Sequence, residues 1–232
     1  MSKLECLSHA SPNFGERKGG AVPDIVVLHY TAMASAEEAI ARLCNPEFEV
    51  SAHYLIDPKG RIIQMVDEAK RAWHAGAGRW GDVTDVNSRS IGIELANAGN
   101  MPFAAAQMDA LEELLHDINT RHAIAPERVI GHSDMAPRRK IDPGPRFDWR
   151  RLALGGLSVW SENTTPLTVD ENRFSDDLAS FGYCADIALD ARLSAFRDRF
   201  RPHHVGALDG VDMAIARDLA VRFPVDRAPH TA

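Results

Sequence analysis

Five residues of types that carry out hydrolytic chemistry stand where a sheet could gather them: His29, Glu94, His132, Lys140 and Asp142. His29 lies at the end of an apolar run, DIVVLHY, and His132 closes RVIGH. Asp142 follows in KIDPGP. Two imidazoles and one carboxylate suit Zn²⁺, and three protein ligands leave a fourth position for water. Each histidine also has a plainer reading, as a strand-end ring hydrogen-bonded to backbone, and spacing alone does not choose between the two. Pro143 biases Asp142 toward extended backbone, and Pro145 stiffens the same loop. Glu94 sits in SIGIEL, where Ile91, Ile93 and Leu95 share one strand face and Glu94 shares the other with Ser90 and Gly92. A carboxylate inside an apolar strand is costly unless it is paired or catalytic. It is either a general base that deprotonates a metal-activated water or a salt-bridged or edge-strand residue. Lys140, two residues before Asp142, points to the same side of an extended segment. It is either an oxyanion stabiliser or a solvated member of the basic run RRK.

These residues need strands to hold them. Residues 24–30 read as a buried central strand, 51–57 and 61–66 as a hairpin around DPKG, 90–96 as a further strand and 128–132 as the last. Residues 37–43 are a short helical candidate. Residues 103–122 carry Met108, Leu111, Leu115 and Ile118 at helical spacing. Strands alternating with helices predict an α/β layer arrangement. The stretch 70–87, rich in Gly, Trp and Asp, reads as a long loop of the kind that often serves function. Residues 1–22 read as a polar tail.

After residue 153 the composition shifts. LGGLSVWSENTTPLTV reads as a linker over 154–169, and 170–232 as a small unit of three helices near 176–181, 186–200 and 209–223. Leu189, Leu193, Phe196 and Phe200 form one stripe, and Val211, Ile215, Leu219 and Phe223 another. A unit of that size is near the lower limit for an independent core, so packing on the first unit is the alternative. The 232 residues thus divide into a unit over 23–153 and a helical appendage.

Composition excludes several classes. With 26 Lys+Arg against 33 Asp+Glu the formal charge is −7, which disfavours nucleic acid. No apolar run reaches the roughly 18 residues of a membrane span. Three cysteines are too few for a disulfide framework. The first twenty residues lack a secretory h-region, and Cys6 has no apolar segment before it for lipidation, so the expected location is cytoplasmic. A periplasmic or envelope-associated location is expected instead if the natural N-terminus is missing.

The motifs VVLHYTA (26–32), SAHYLID (51–57), RAWHAGAGRWG (71–81), NSRSIGIELAN (87–97), VIGHSDMAPRRKIDPGP (129–145) and FDW (147–149) occur in order. Together they resemble the zinc-dependent N-acetylmuramoyl-L-alanine amidases of the amidase-2 family. The likeness is strongest to their anhydromuropeptide-cleaving members, both cytosolic and envelope-anchored. The resemblance implies a central mixed β-sheet flanked by helices, with a C-terminal helical unit like a peptidoglycan-binding domain. It implies one Zn²⁺ held by His29, His132 and Asp142, with Glu94 and Lys140 catalytic. It further implies peptidoglycan fragments as substrate, with Tyr30, His53, Trp73, His74 and Asn97 as substrate-binding candidates and no obligate protein partner. The activity expected is hydrolysis of the amide between N-acetylmuramic acid and L-alanine of the stem peptide. The alternatives are a non-catalytic peptidoglycan-binding protein and a zinc peptidase acting within the stem. Binding-only relatives typically lose a zinc ligand, and here all three are present.

Overall fold

The computed structural model describes residues 5–226. Its strands are β1 (Leu7–Ser8), β2 (Phe14–Glu16), β3 (Ile25–Tyr30), β4 (Tyr54–Ile56), β5 (Ile62–Gln64), β6 (Lys70–Ala72), β7 (Ser90–Leu95) and β8 (Val129–Gly131). Its helices are α1 (Ala36–Leu43), α2 (Val86–Arg89), α3 (Ala105–His122), α4 (His132–Met135), α5 (Trp149–Leu154), α6 (Glu171–Phe181), α7 (Leu189–Phe200) and α8 (Gly210–Arg222). A six-stranded mixed sheet has the order β1-β5-β4-β7-β3-β8, and β2 pairs with β6 in a separate ribbon. β3 runs parallel to both β7 and β8, while β4 and β5 form the antiparallel hairpin expected around Gly60.

The period of two along the central strands assigns each face its cover. Val26, Leu28, Ile91, Ile93 and Leu95 pack against Met108, Leu111, Leu115 and Ile118 of α3. Ile25, Val27 and Ile130 face the other way and share one core with Phe174, Phe181, Phe196 and Leu219 of the C-terminal helices. Burying one such Phe is worth about 1.5–3 kcal/mol, so these helices are a working layer of the sheet, and both apolar stripes read from the sequence point into it. Trp80 seals the junction: it is fully buried, with Phe181 and Tyr183 edge-on at 5.4 and 5.3 Å. Gly182, at φ +136°, passes so close that a Cβ would lie 2.5 Å from the Trp80 ring.

A buried ionic knot crosses the same junction. Arg199 on α7 donates from Nη1 to Asp134 Oδ2 at 2.7 Å and from Nη2 to the Val129 carbonyl at 3.1 Å. Asp134 also accepts the Tyr183 hydroxyl at 2.5 Å and the Gly131 N–H at 2.8 Å. Asp134 belongs to α4, the single turn that begins with His132.

Four local expectations change. Residues 7–16 are not a free tail: β1 and β2 add to the sheet and the ribbon, and Arg17 donates to the carbonyls of Glu68, Ser88 and Ser90. The stretch 70–87 is not wholly loop, because β6 pairs with β2 and α2 begins at Val86. Its short strand is too polar to show a period. The stretch read as a linker is buried at Leu157, Ser158, Val159 and Ser161, where it runs along the core before becoming exposed. His132 starts a helical turn rather than ending a strand. Among the described residues no helix is long and apolar enough to cross a membrane.

Candidate metal centre and active site

Parallel pairing places His29 of β3 directly beside Glu94 of β7. Neighbours in register project from the same sheet face, so the imidazole and the carboxylate emerge together, one step beyond the apolar layer of Ile25 and Val27. Glycine at 131 allows Pro143 to approach, since a Cβ there would lie 2.8 Å from Pro143 Cδ. The Ser133 N–H holds the Asp142 carbonyl at 2.9 Å. These contacts dock the 140–145 loop on the His132 turn.

Three donor atoms meet there. His29 Nδ1 lies 2.9 Å from Asp142 Oδ2 and 3.0 Å from His132 Nδ1, and His132 Nδ1 lies 3.0 Å from Asp142 Oδ2. The side chains are only 2%, 3% and 12% exposed respectively for His29, His132 and Asp142. His132 Nε2 donates to the Ala75 carbonyl at 2.8 Å, so in the neutral ring its Nδ1 is a bare lone pair. Burial, and then the charge of His132, push His29 down to about 4, so it is neutral at physiological pH. The two histidine rings set against it hold Asp142 far below the usual carboxylate range, against the opposing effect of burial. Two imidazoles and one carboxylate therefore aim at one point, a donor set that fits Zn²⁺.

Glu94 is half-buried at the cavity wall, and its Oε2 is out of reach of solvent with no hydrogen-bond partner. Burial, then the charge of Asp142, push its carboxyl up to about 8, with Lys140 opposing. Since the ordinary value is 4.5, the folded metal-free protein binds this proton where the unfolded chain has lost it. Its stability contribution therefore falls as pH rises from about 4.5 to about 8. Urea midpoints of the metal-free protein across that window should show this slope, and Glu94→Gln should remove it. An identical slope in the variant would show that the carboxyl is not held protonated.

A family model described as N-acetylmuramoyl-L-alanine amidase matches residues 19–145. The chain belongs to the N-acetylmuramoyl-L-alanine amidase family. The amidase AmiD of Escherichia coli (strain K12) is 36% identical over 87% of this chain and 84% of its own length. The 1,6-anhydro-N-acetylmuramyl-L-alanine amidase AmpD of Haemophilus influenzae is 34% identical over 63% of this chain and 90% of its own. The structure of E. coli AmiD with anhydro-N-acetylmuramic acid-L-Ala-D-γ-Glu-L-Lys superposes with a TM-score of 0.79 at 35% identity, over 91% of this chain and 98% of that one.

In this amidase a cavity of about 490 Å³ opens over the three donors and is lined by Glu94, Lys140, Tyr30, Trp73 and His74 among others. His53 and Asn97 are placed elsewhere, against the expectation that they touch substrate. His53 is fully buried and accepts the Gly92 N–H at Nδ1 while Nε2 faces the Lys70 carbonyl. Asn97 ties the 97–102 loop through the Met101 and Pro102 carbonyls. The basic run divides by role: Arg138 pairs with Asp190 of α7, Arg139 bonds the Ala75 and Ala77 carbonyls, and Lys140 lines the cavity. Sequence reasoning missed Arg139 and Arg42 as cavity-lining cations, because a guanidinium in a polar segment looks like any solvated one. A second His–carboxylate group, His204, Asp209 and Asp212, already holds a cation, with Arg201 Nη1 at 2.6 and 2.7 Å from the two carboxylates.

Proposed function

We propose that this amidase hydrolyses the amide joining the lactyl group of N-acetylmuramic acid to L-alanine in anhydromuropeptides, in cell-wall recycling. The observation that carries the reading is the convergence of His29 Nδ1, His132 Nδ1 and Asp142 Oδ2, with Glu94 in register on the adjacent strand. The relatives' substrates support the class of bond. Three protein ligands with an open cavity above them are the pattern of a catalytic rather than a structural zinc.

His29, His132 and Asp142 would hold Zn²⁺, which, when bound, supplies Lewis acidity to an amide carbonyl and acidifies water. Glu94 accepts a proton from the attacking water. The water oxygen adds to the lactyl carbonyl carbon, and Lys140 donates to the oxyanion that develops there. Glu94 then returns the proton to the alanine nitrogen as the C–N bond breaks, giving a free carboxylate and a free amine. Trp73 and Tyr30 offer flat apolar walls for the sugar and the peptide.

The test is metal removal. Dialysis against dipicolinate should abolish anhydromuropeptide cleavage, and one equivalent of Zn²⁺ should restore it. At a thousandfold excess over the dissociation constant, zinc should stabilise the fold by about 4 kcal/mol, read as a rise in urea midpoint. Asp142→Ala should lose that rise. Cleavage that survives full chelation would remove zinc from the account.

A further inference from the structure

Hydrogen-bond polarity can be followed atom by atom behind His29. Ser90 Oγ lies 2.6 Å from the Val86 carbonyl oxygen, so its one hydrogen is directed there. Toward His74 Nε2, 3.2 Å away, Ser90 can then only accept. A neutral imidazole has one N–H, so with Nε2 donating, His74 Nδ1 is a bare acceptor. That atom lies 3.1 Å from His29 Nε2. The proton of His29 is thereby held on Nε2, and Nδ1 is left bare toward His132 and Asp142. The other polarity would set Ser90 Oγ and the Val86 carbonyl lone pair to lone pair at 2.6 Å.

The backbone is arranged around this file. A Cβ on residue 92 would lie 2.4 Å from His74 Cγ, so only glycine there lets the ring stand between Ser90 and His29. Asn87 Oδ1 accepts the N–H groups of His74 and Ala75, which fixes where the His74 ring starts. Ser90, Gly92 and Glu94 alternate along β7 on the face that carries the site, so one strand supplies the polarity, the clearance and the carboxylate.

We propose that His74 is a positioning residue that sets the tautomer of His29, with Ser90 fixing the direction of the chain. His132 has its own equivalent in the Ala75 carbonyl, one residue further along. The proposal rests on the metal-site reading above. Groups behind a metal-binding histidine commonly change metal affinity by 10–100-fold.

The test uses the full chain. Long-range ¹⁵N–¹H correlation spectra of the metal-free protein at neutral pH report the His29 tautomer directly. Competition with a chromophoric chelator reports the zinc dissociation constant. Wild type should show His29 protonated on Nε2. Ser90→Ala removes the acceptor and frees His74 to place its proton on either nitrogen, and His74→Phe keeps the ring shape without nitrogens. Both variants should show a mixed His29 tautomer and a zinc dissociation constant raised about 10–100-fold. An unchanged tautomer with zinc affinity within about twofold in Ser90→Ala, which barely alters packing, would overturn the proposal. His74 would then be a cavity-wall residue that moves KM alone. Failure of the zinc reading is distinguishable: wild type would not bind zinc, while the metal-free spectra would still decide the tautomer.

Discussion

Glu94→Gln is expected to leave zinc bound and the fold intact while removing nearly all turnover. The amide keeps the size of the carboxyl and its place beside His29, but it cannot take a proton from water. General acid–base catalysis by a positioned group is worth about 10²–10⁴-fold. Glu94 serves both halves of the reaction, so the loss should fall near the upper end and appear in kcat, with KM little changed. Its buried, unpartnered Oε2 gives the physical reason. A carboxyl left without a hydrogen bond in the structure is poised to interact with a group that arrives only with substrate and water. Stopped assays on an anhydromuropeptide, with zinc content measured on the same sample, provide the check. A zinc-loaded variant within about tenfold of wild type would assign the proton transfer to another group.

Arg199→Ala should be the most damaging change far from the cavity. Arg199 and Asp134 have side chains only 1% and 0% exposed. Removing one partner of such a pair leaves a buried charge and costs about 3–5 kcal/mol, a large part of the roughly 5–15 kcal/mol that holds a protein folded. At about 2–4 °C per kcal/mol for a chain of this size, the melting temperature should drop by about 6–20 °C. The guanidinium also lies 4.2 Å over the Trp149 ring, which adds a packing loss. The stranded carboxylate would keep only Tyr183 and the Gly131 N–H. Because replacing both partners of a buried pair by apolar groups is often nearly neutral, Arg199→Leu with Asp134→Leu should cost less than Arg199→Ala alone. Urea denaturation of the single and the double variant decides this. A single-variant loss below about 1 kcal/mol, the range of exposed pairs, would show that the knot contributes little.

The strand residues were readable because period two is local. SIGIEL separates Glu94 from its apolar neighbours without any knowledge of the partner strand. The helical stripes of α7 and α8 were equally readable, but not what they cover, since Ile25 and Val27 look the same whether a helix of the same unit or a C-terminal one lies on them. A small helical unit after a polar stretch therefore reads as separable, and only the shared core with Phe174 and Phe196 shows the sheet's second face needing it. The His29, His132 and Asp142 set stays open from spacing alone, and the family motifs are what single it out. Its convergence at 2.9–3.0 Å is a three-dimensional fact. His53 and His74 both sit in motifs, yet one is buried beneath the site and the other lines it. Ring orientation, set by Gly92 and the carbonyls nearby, separates them, and no pattern of residue types encodes that. β1, β2 and β6 were missed because strands of two or three polar residues carry no period.

The most direct measurement is mass spectrometry of a defined anhydromuropeptide after incubation with the zinc-loaded chain. Cleavage at the lactyl–alanine amide predicts two products, free 1,6-anhydro-N-acetylmuramic acid and a stem peptide with a free L-alanine amino terminus. A muropeptide left whole by folded, zinc-loaded protein, or cut within the stem peptide instead, would contradict the account.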